Sequence, residues 1–189
     1  MVKLSECTFR KLREEDLPVI LEWRNAPRVR QAMYTDHVIR PEEHARWFAR
    51  IAADPTGEHF LFCVAGTPAG VFNVTQINPY ARTCSWAFYA SETAPRGSGV
   101  AMELTAIDYM SQALRMRKIN CEVLAFNEPV IKLHKRFGFE EEGVFKAHIL
   151  RDGAPIDAVR LALFTERWPA IRERLAAALL GTSSVEGRA

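Results

Sequence analysis

Ala94-Pro95-Arg96-Gly97-Ser98-Gly99-Val100-Ala101 lies between a strand-like run, Thr83 to Ala90, and a helix-like run that begins at Gly99. The first N–H groups of a helix have no intrahelical partner, and with the helix dipole they form an anion site that glycines let a phosphate approach closely. A glycine-rich strand-to-helix turn alone is most often only a turn. Weight comes from a second stretch, Asn127-Glu128-Pro129-Val130-Ile131-Lys132-Leu133-His134-Lys135-Arg136-Phe137-Gly138-Phe139, which follows the apolar run Ile119 to Phe126. Pro129 suits a first helical turn and Gly138 a helix end, so this segment reads as a short helix with its own start and stop.

On the N-terminal side the pattern predicts a strand near Cys7 to Leu12, then a helix from Glu14 to Arg24 with Leu17, Ile20, Leu21 and Arg24 at helical spacing. A loop over Ala26 to Arg40 leads to a helix near Pro41 to Ala53. Strands at His59 to Ala65, Gly70 to Ile77 and Thr83 to Ala90, separated by the turn signals Gly66-Thr67-Pro68 and Asn78-Pro79, predict an antiparallel meander. From Gly99 to Leu114 the residues Val100, Leu104, Ile107, Met110 and Leu114 make an apolar helical stripe. Strands at Phe139 to Leu150 and Pro155 to Phe164 flank Arg151-Asp152-Gly153-Ala154, a hairpin signal, and a helix from Glu166 to Leu180 closes the chain. This order predicts an α/β (α+β) fold with a mixed central sheet flanked by helices, one domain over 1–180, and a disordered tail at 181–189.

With 189 residues the chain can bury one good core and is short for two domains. Its formal net charge of +2 gives no electrostatic case for a nucleic-acid partner. Cys7, Cys63, Cys84 and Cys121 are far apart in apolar runs and read as reduced core residues. His37, His44, His59 and His148 lack metal-ligand spacing, so no metal is expected. Met1-Val2-Lys3-Leu4-Ser5-Glu6-Cys7 has no apolar h-region, and no apolar run is long enough to cross a bilayer; a cytoplasmic protein without a membrane partner is expected.

Taken together, the R-x-x-G-x-A loop at Arg96 to Ala101 and the N-x(5)-L-H-K-R-F-G-F segment at Asn127 to Phe139 resemble the acetyl-CoA site of the GNAT N-acetyltransferases. The resemblance extends over nearly the whole chain up to Phe164. It implies the GNAT acyltransferase fold, with acetyl-CoA as cosubstrate. It also implies that Arg96, Gly97, Ser98, Gly99, Val100 and Ala101 cradle the pyrophosphate. The strand end Phe88, Tyr89, Ala90 would part from the Ile119 to Phe126 strand to admit the pantetheine arm, with Asn127 and Lys135 completing the coenzyme site. Lys132, Lys135 and Arg136 either meet the 3'-phosphate or form a solvated helix face. His134 departs from the family, which usually has Tyr at that place to protonate the leaving thiolate. Helical spacing with Val130, Ile131, Leu133 and Phe137 turns it inward or to the cleft edge, where it either donates that proton or packs. The base for the amine stays open: Glu122 alternates with Cys121 and Val123 and either faces the cleft or is a paired structural carboxylate, and His59 is a further option.

The acceptor side carries a second resemblance. Leu21-Glu22-Trp23-Arg24-Asn25-Ala26-Pro27, Met33-Tyr34, His44-Ala45-Arg46-Trp47-Phe48, Asp54-Pro55, Phe60-Leu61-Phe62, Gln76-Ile77-Asn78 and Ile156-Asp157-Ala158-Val159 are similar to the N-acetyltransferases of pseudaminic acid biosynthesis. That resemblance implies acetylation of the 4-amino group of UDP-4-amino-4,6-dideoxy-N-acetyl-β-L-altrosamine, a nucleotide sugar later used in flagellin glycosylation. Met33, Tyr34 and Trp47 would offer apolar surface to it, or else pack in the core, and Arg30 or Arg24 would face its diphosphate. Two rivals stand beside this reading: a GNAT enzyme for a protein N-terminus such as that of a ribosomal protein, and a CoA-binding module without catalysis. A homodimer is left open.

Overall fold

Pro18, Pro27, Pro41 and Pro129 each stand in the first turn of a helix, where a missing N–H costs nothing, and so divide the chain as its prolines suggest. The computed structural model describes residues 2–181. In order they form β1 (Cys7–Lys11), α1 (Leu17–Asn25), α2 (Pro27–Arg30), α3 (Pro41–Ala52), β2 (Glu58–Val64), β3 (Thr67–Asn78) and β4 (Thr83–Ala90). Then follow α4 (Ser98–Asp108), β5 (Lys118–Leu124), α5 (Glu128–Arg136), β6 (Glu140–Arg151), β7 (Ala154–Phe164) and α6 (Trp168–Gly181).

The strands make one seven-stranded sheet in the order β1-β2-β3-β4-β5-β7-β6. β1 to β4 form the expected antiparallel meander, and β5, β7 and β6 are also antiparallel to one another. The single parallel junction is β4 with β5, and a parallel pair needs a long crossover, which α4 supplies. The β6–β7 turn has Asp152 and Gly153 both at positive φ, the primed hairpin turn that Asp-Gly favours.

Period-2 alternation sends Phe60, Phe62, Phe72 and Val74 to one face, where they meet Met102, Leu104 and Ile107 of α4, and Met110 just after it, in the main core. Leu61 and Val71 point to the other face and pack on Ile20 and Trp23 of α1. Asp108 at the end of α4 accepts hydrogen bonds from Trp168 Nε1 and Arg172 Nε, both at 2.8 Å, and so pins α6 to α4.

The helix read over Gly99 to Leu114 is regular only to Asp108. It closes with a π turn, Tyr109–Ala113, with Leu114 N–H bonded to the Tyr109 carbonyl. The widened turn sets two adjacent residues against the sheet, Tyr109 edge-on to Phe9 and Phe60, and Met110 beside Cys84. The expected loop from Ala26 to Arg40 contains the short helix α2, because Pro27 restarts helical backbone one residue after α1. Of the tail expected at 181–189, Gly181 belongs to α6 and 182–189 lie outside the described residues.

Candidate active site

β4 and β5 are paired only at Thr83 with Lys118, Cys84 with Ile119 and Ser85 with Asn120. Beyond that the strands part, and Trp86 to Ala90 have no partner on the β5 side among the described residues. The opening expected at Phe88, Tyr89 and Ala90 is therefore present, and its root lies at Trp86 and Cys121.

The N-terminus of α4 stands at this opening. Gly97 adopts a left-handed backbone, φ 99°, which a residue with a Cβ reaches only with strain. The Pro95 carbonyl accepts both the Ser98 N–H at 3.0 Å and the Ser98 hydroxyl at 2.6 Å, and the Ala101 N–H reaches the Gly97 carbonyl. Gly99 and Val100 are left with N–H groups that have no main-chain partner, a pair of donors able to take an anion. Ser98 is buried and its hydroxyl shapes the turn. A Cβ on Gly99 would meet only Phe88 Cε2, at 3.8 Å. Arg96 is exposed at the loop's outer edge.

Asn127 caps α5 through its carbonyl, which accepts from Val130 and Ile131, and its side chain makes no hydrogen bond among the described residues. Lys135 is exposed and bound to Glu141 at 3.0 Å, and Lys132 to Glu128 at 2.8 Å, so these two lysines already have anionic partners on a solvated face.

His134 points inward and is 3 % exposed. Its ring meets Trp86, Phe88 and Phe139 with centroids 5.5, 5.9 and 5.2 Å away, so it lies against the root of the β4/β5 opening. Nδ1 is 2.7 Å from Oε1 of Glu103, a carboxylate with no solvent exposure on α4. The second carboxylate oxygen, Oε2, has no partner among the described residues. Burial alone would strip the proton from the imidazole, but the neighbouring Cys121 sulfur and the Glu103 carboxylate outweigh it and raise the His134 pKa to about 10. Burial likewise raises the pKa of Glu103, against the pull of His134. Both shifts run upward: burial opposes the charge on Glu103, and that carboxylate, 2.7 Å away, favours the proton on His134.

On the acceptor side, Glu122 takes the ion-paired alternative. It accepts from Arg160 Nη1 at 2.6 Å and from the Tyr34 hydroxyl at 2.6 Å; burial works against ionisation, but these bonds outweigh it and hold the carboxyl below its ordinary range, which makes it a poor base. Tyr34, 41 % exposed, also sets its ring edge-on to His148. The half-buried Met33 gives its carbonyl to Arg151, which also binds the Gln31 carbonyl and Asp36. Arg30 is held through Nε and Nη1 by the Asn25 and Asp36 carbonyls, whereas Arg24 has a buried donor with no partner among the described residues. Arg24 binds Thr35 through Nη2, and its Nη1 is buried with no partner among the described residues. His44, 4 % exposed, likewise has no partner for Nδ1 among the described residues. Trp47 is stacked on His44 at 4.9 Å and edge-on to His59, so packing within the protein covers one of its faces. His59 is itself bound to Asn73 through Nδ1, and burial lowers its pKa.

A parallel crossover opening beside a helix N-terminus with two free N–H groups is the frame an acyl-CoA enzyme needs. Residues 9–159 match the family model for the acetyltransferase (GNAT) domain. The chain belongs to the GNAT family. It is an acetyl-CoA-dependent N-acetyltransferase, as the motifs at Arg96 and Asn127 imply. The acetyltransferase is 28 % identical over 162 residues to the L-amino acid N-acetyltransferase AaaT of Escherichia coli (strain K12), a match covering 84 % of this chain and 98 % of that one. It is 27 % identical to the acetyltransferase PseH of Campylobacter jejuni, over 74 % of this chain and 85 % of PseH. Among solved structures its fold matches spermidine N-acetyltransferase from Vibrio cholerae in complex with CoA and spermine, with a TM-score of 0.81 at 20 % identity over 87 % of this chain and 99 % of that one.

Glu103 is the residue that sequence reasoning missed. It is a lone carboxylate on the apolar stripe of its helix, one turn from Val100 and Ile107, and that misfit was its available signal. Among the described residues no group of three or more His, Cys, Asp or Glu side chains is arranged to hold a metal ion, and no helix is long and apolar enough to cross a membrane.

Proposed function

We propose that the enzyme moves the acetyl group of acetyl-CoA to the 4-amino group of a UDP-linked amino-dideoxy sugar, the step that the pseudaminic acid resemblance implies on the way to flagellin glycosylation. One observation supports this above the others: Arg24 Nη1 and His44 Nδ1 are both buried and have no partner among the described residues. Burial lowers the pKa of each, and the charge of Arg24 lowers that of His44 further, so as it stands the pair is in a costly state. A diphosphate accepting from both would relieve that cost, and the exposed Tyr34, next to Thr35 in the chain and edge-on to His148, offers stacking area for the rest of the nucleotide. The 27 % identity with PseH agrees with this assignment.

In this reading the phosphates of acetyl-CoA lie on the Gly99 and Val100 N–H groups and the pantetheine enters between β4 and β5. His134, at the root of that opening, gives its Nε2 proton to the thiolate. The acetyltransferase acts on a small molecule.

A second reading has its own support. An amino-acid α-carboxylate would satisfy Arg24 and His44 as well as a phosphate does, and the match to AaaT extends over 98 % of that protein. Thiol release from acetyl-CoA separates the readings when measured against a UDP-linked 4-amino-dideoxy sugar, the same sugar without UDP, a set of L-amino acids and an N-terminal peptide. The proposal expects the highest kcat/KM with the UDP-linked sugar and a large loss without the nucleotide, whose remote binding energy holds the amine in line. Preference for the amino acids or the peptide overturns it.

A further inference from the structure

We propose that Glu103 is the positioning residue that makes His134 an acid able to replace the family's usual tyrosine, through its 2.7 Å contact with the far side of the imidazole. This rests on the reading of His134 as the proton donor. A tyrosine carries its proton at neutral pH without help, whereas an isolated imidazole is mostly neutral there, and a neutral ring presents either nitrogen as the bare one. A carboxylate on Nδ1 removes both problems. It fixes the ring so that Nδ1–H points to Oε1, and its negative charge keeps Nε2 protonated, with Nε2 on the side away from α4.

The surroundings leave few other groups to perform this. Packed against the ring are Glu103 from α4, Cys121 from β5, the neutral aromatics Trp86 and Phe88 from β4, and Phe139 after α5. Lys135 and Arg136, the neighbours of His134 on α5, are exposed. Glu103 is therefore the only carboxylate facing the ring among the described residues, and its burial without an Arg or Lys partner is a cost that only the imidazolium offsets.

In the step itself the acceptor amine attacks the thioester carbonyl carbon, forming the C–N bond. The C–S bond breaks with its electron pair going to sulfur, and the His134 Nε2 proton passes to that sulfur to give the CoA thiol. The proton lost by the amine leaves to solvent, and a proton from solvent restores Nε2. The Nδ1–H to Glu103 bond persists throughout, so the carboxylate never needs to move.

Glu103→Gln tests this, since the amide oxygen can still accept from Nδ1–H while the charge is gone. The expected result is a kcat about 10-fold or more lower at pH 8, recovering toward acid pH because the imidazole now loses its proton at lower pH, with KM for acetyl-CoA within about 2-fold of wild type. In the ligand-free proteins, 15N spectra of the imidazole should show His134 protonated at both nitrogens near pH 7.5 in the wild type. In Glu103→Gln the ring should titrate at least one pH unit lower. An unchanged pH–rate profile together with an unchanged titration overturns the proposal even if the variant is less stable. His134→Gln keeps the two hypotheses apart: full activity in that variant removes His134 as the acid, whereas a loss there combined with a wild-type Glu103→Gln enzyme removes only the role of Glu103.

Discussion

Gly99→Ala should act on the fold and on the coenzyme in opposite directions. Gly99 is the second residue of α4, its φ is not positive, and the nearest heavy atom to an added Cβ is Phe88 Cε2 at 3.8 Å, an ordinary contact. Alanine removes backbone freedom from the unfolded chain and favours helix, so the fold should gain about 0.5 kcal/mol. For a chain of this length that raises Tm by about 1–2 °C. The methyl, however, points toward Phe88, across the gap where the phosphates of acetyl-CoA are expected to meet the free N–H groups of Gly99 and Val100. Displacing one such charge-assisted hydrogen bond costs about 1.5–3 kcal/mol, or about 10- to 100-fold in Kd. Scanning calorimetry of the free protein and titration calorimetry with acetyl-CoA read the two effects separately. A variant that melts several degrees lower would mean that the space beside Phe88 is not there. One that melts as expected but binds acetyl-CoA with wild-type affinity would take this loop out of the coenzyme site.

Three further outcomes follow from the same reasoning. His134→Phe would strand the buried Glu103 carboxylate and destabilise the fold by about 3–5 kcal/mol, so His134→Gln is the clean variant; its kcat should fall about 100-fold with KM for acetyl-CoA nearly unchanged, in steady-state assays. Arg24→Gln should raise KM for the UDP-linked acceptor about 10-fold or more while leaving that for acetyl-CoA alone, and a uniform effect on both substrates would count against an acceptor anion site. Asp16 is buried against Arg10, bound by it at 2.7 Å through both oxygens and by the Arg13 N–H at 2.9 Å; these bonds hold its pKa below the ordinary carboxylate value despite burial. A lowered carboxyl pKa means that its stabilisation is present above the unfolded-state pKa and lost as pH falls through the folded one. Asp16→Asn should therefore lower stability at pH 7 by about 1–2 kcal/mol and make little difference at pH 2, as read by urea melts at both.

Local rules act on a few residues at a time, and where they governed the outcome the sequence was readable. Thr83–Ala90 is the strand that its alternation and flanking turns predict, Asp152-Gly153 makes the hairpin turn, and Pro129 and Gly138 bound a helix within a residue of where they should. The turn proposed to hold the coenzyme was legible as a structure for the same reason, since a glycine turn before a helix is a local object. The acceptor side was not. Arg30 and Arg24 are equally cationic on paper, and only tertiary contacts with Asn25, Asp36 and Thr35 decide that Arg30 is held through Nε and Nη1 and that Arg24 has a buried donor with no partner among the described residues. The chain gives no hint that His44 covers one face of Trp47, and Glu122 needed Arg160 and Tyr34, 38 and 88 residues away, to become an ion pair. Glu103 and His134, 31 residues apart, meet only because the crossover lays α4 beside α5.

The three residue pairs that join β4 to β5 carry a consequence for how the molecule comes apart. The β1–β4 meander and the β5–β7 unit are each stitched by long antiparallel ladders, while the seam between them is the shortest in the sheet. Mechanically the domain is two plates riveted at one corner and held by the helices that span them. Any molecule wedged in the gap braces the plates along the edges where they have no rivets. With acetyl-CoA as the proposed occupant of the gap, thermal tolerance should follow cosubstrate supply: in a cell short of acetyl-CoA the enzyme would lose its brace and its work at the same time, and the idle fraction would be the first to be unfolded and cleared.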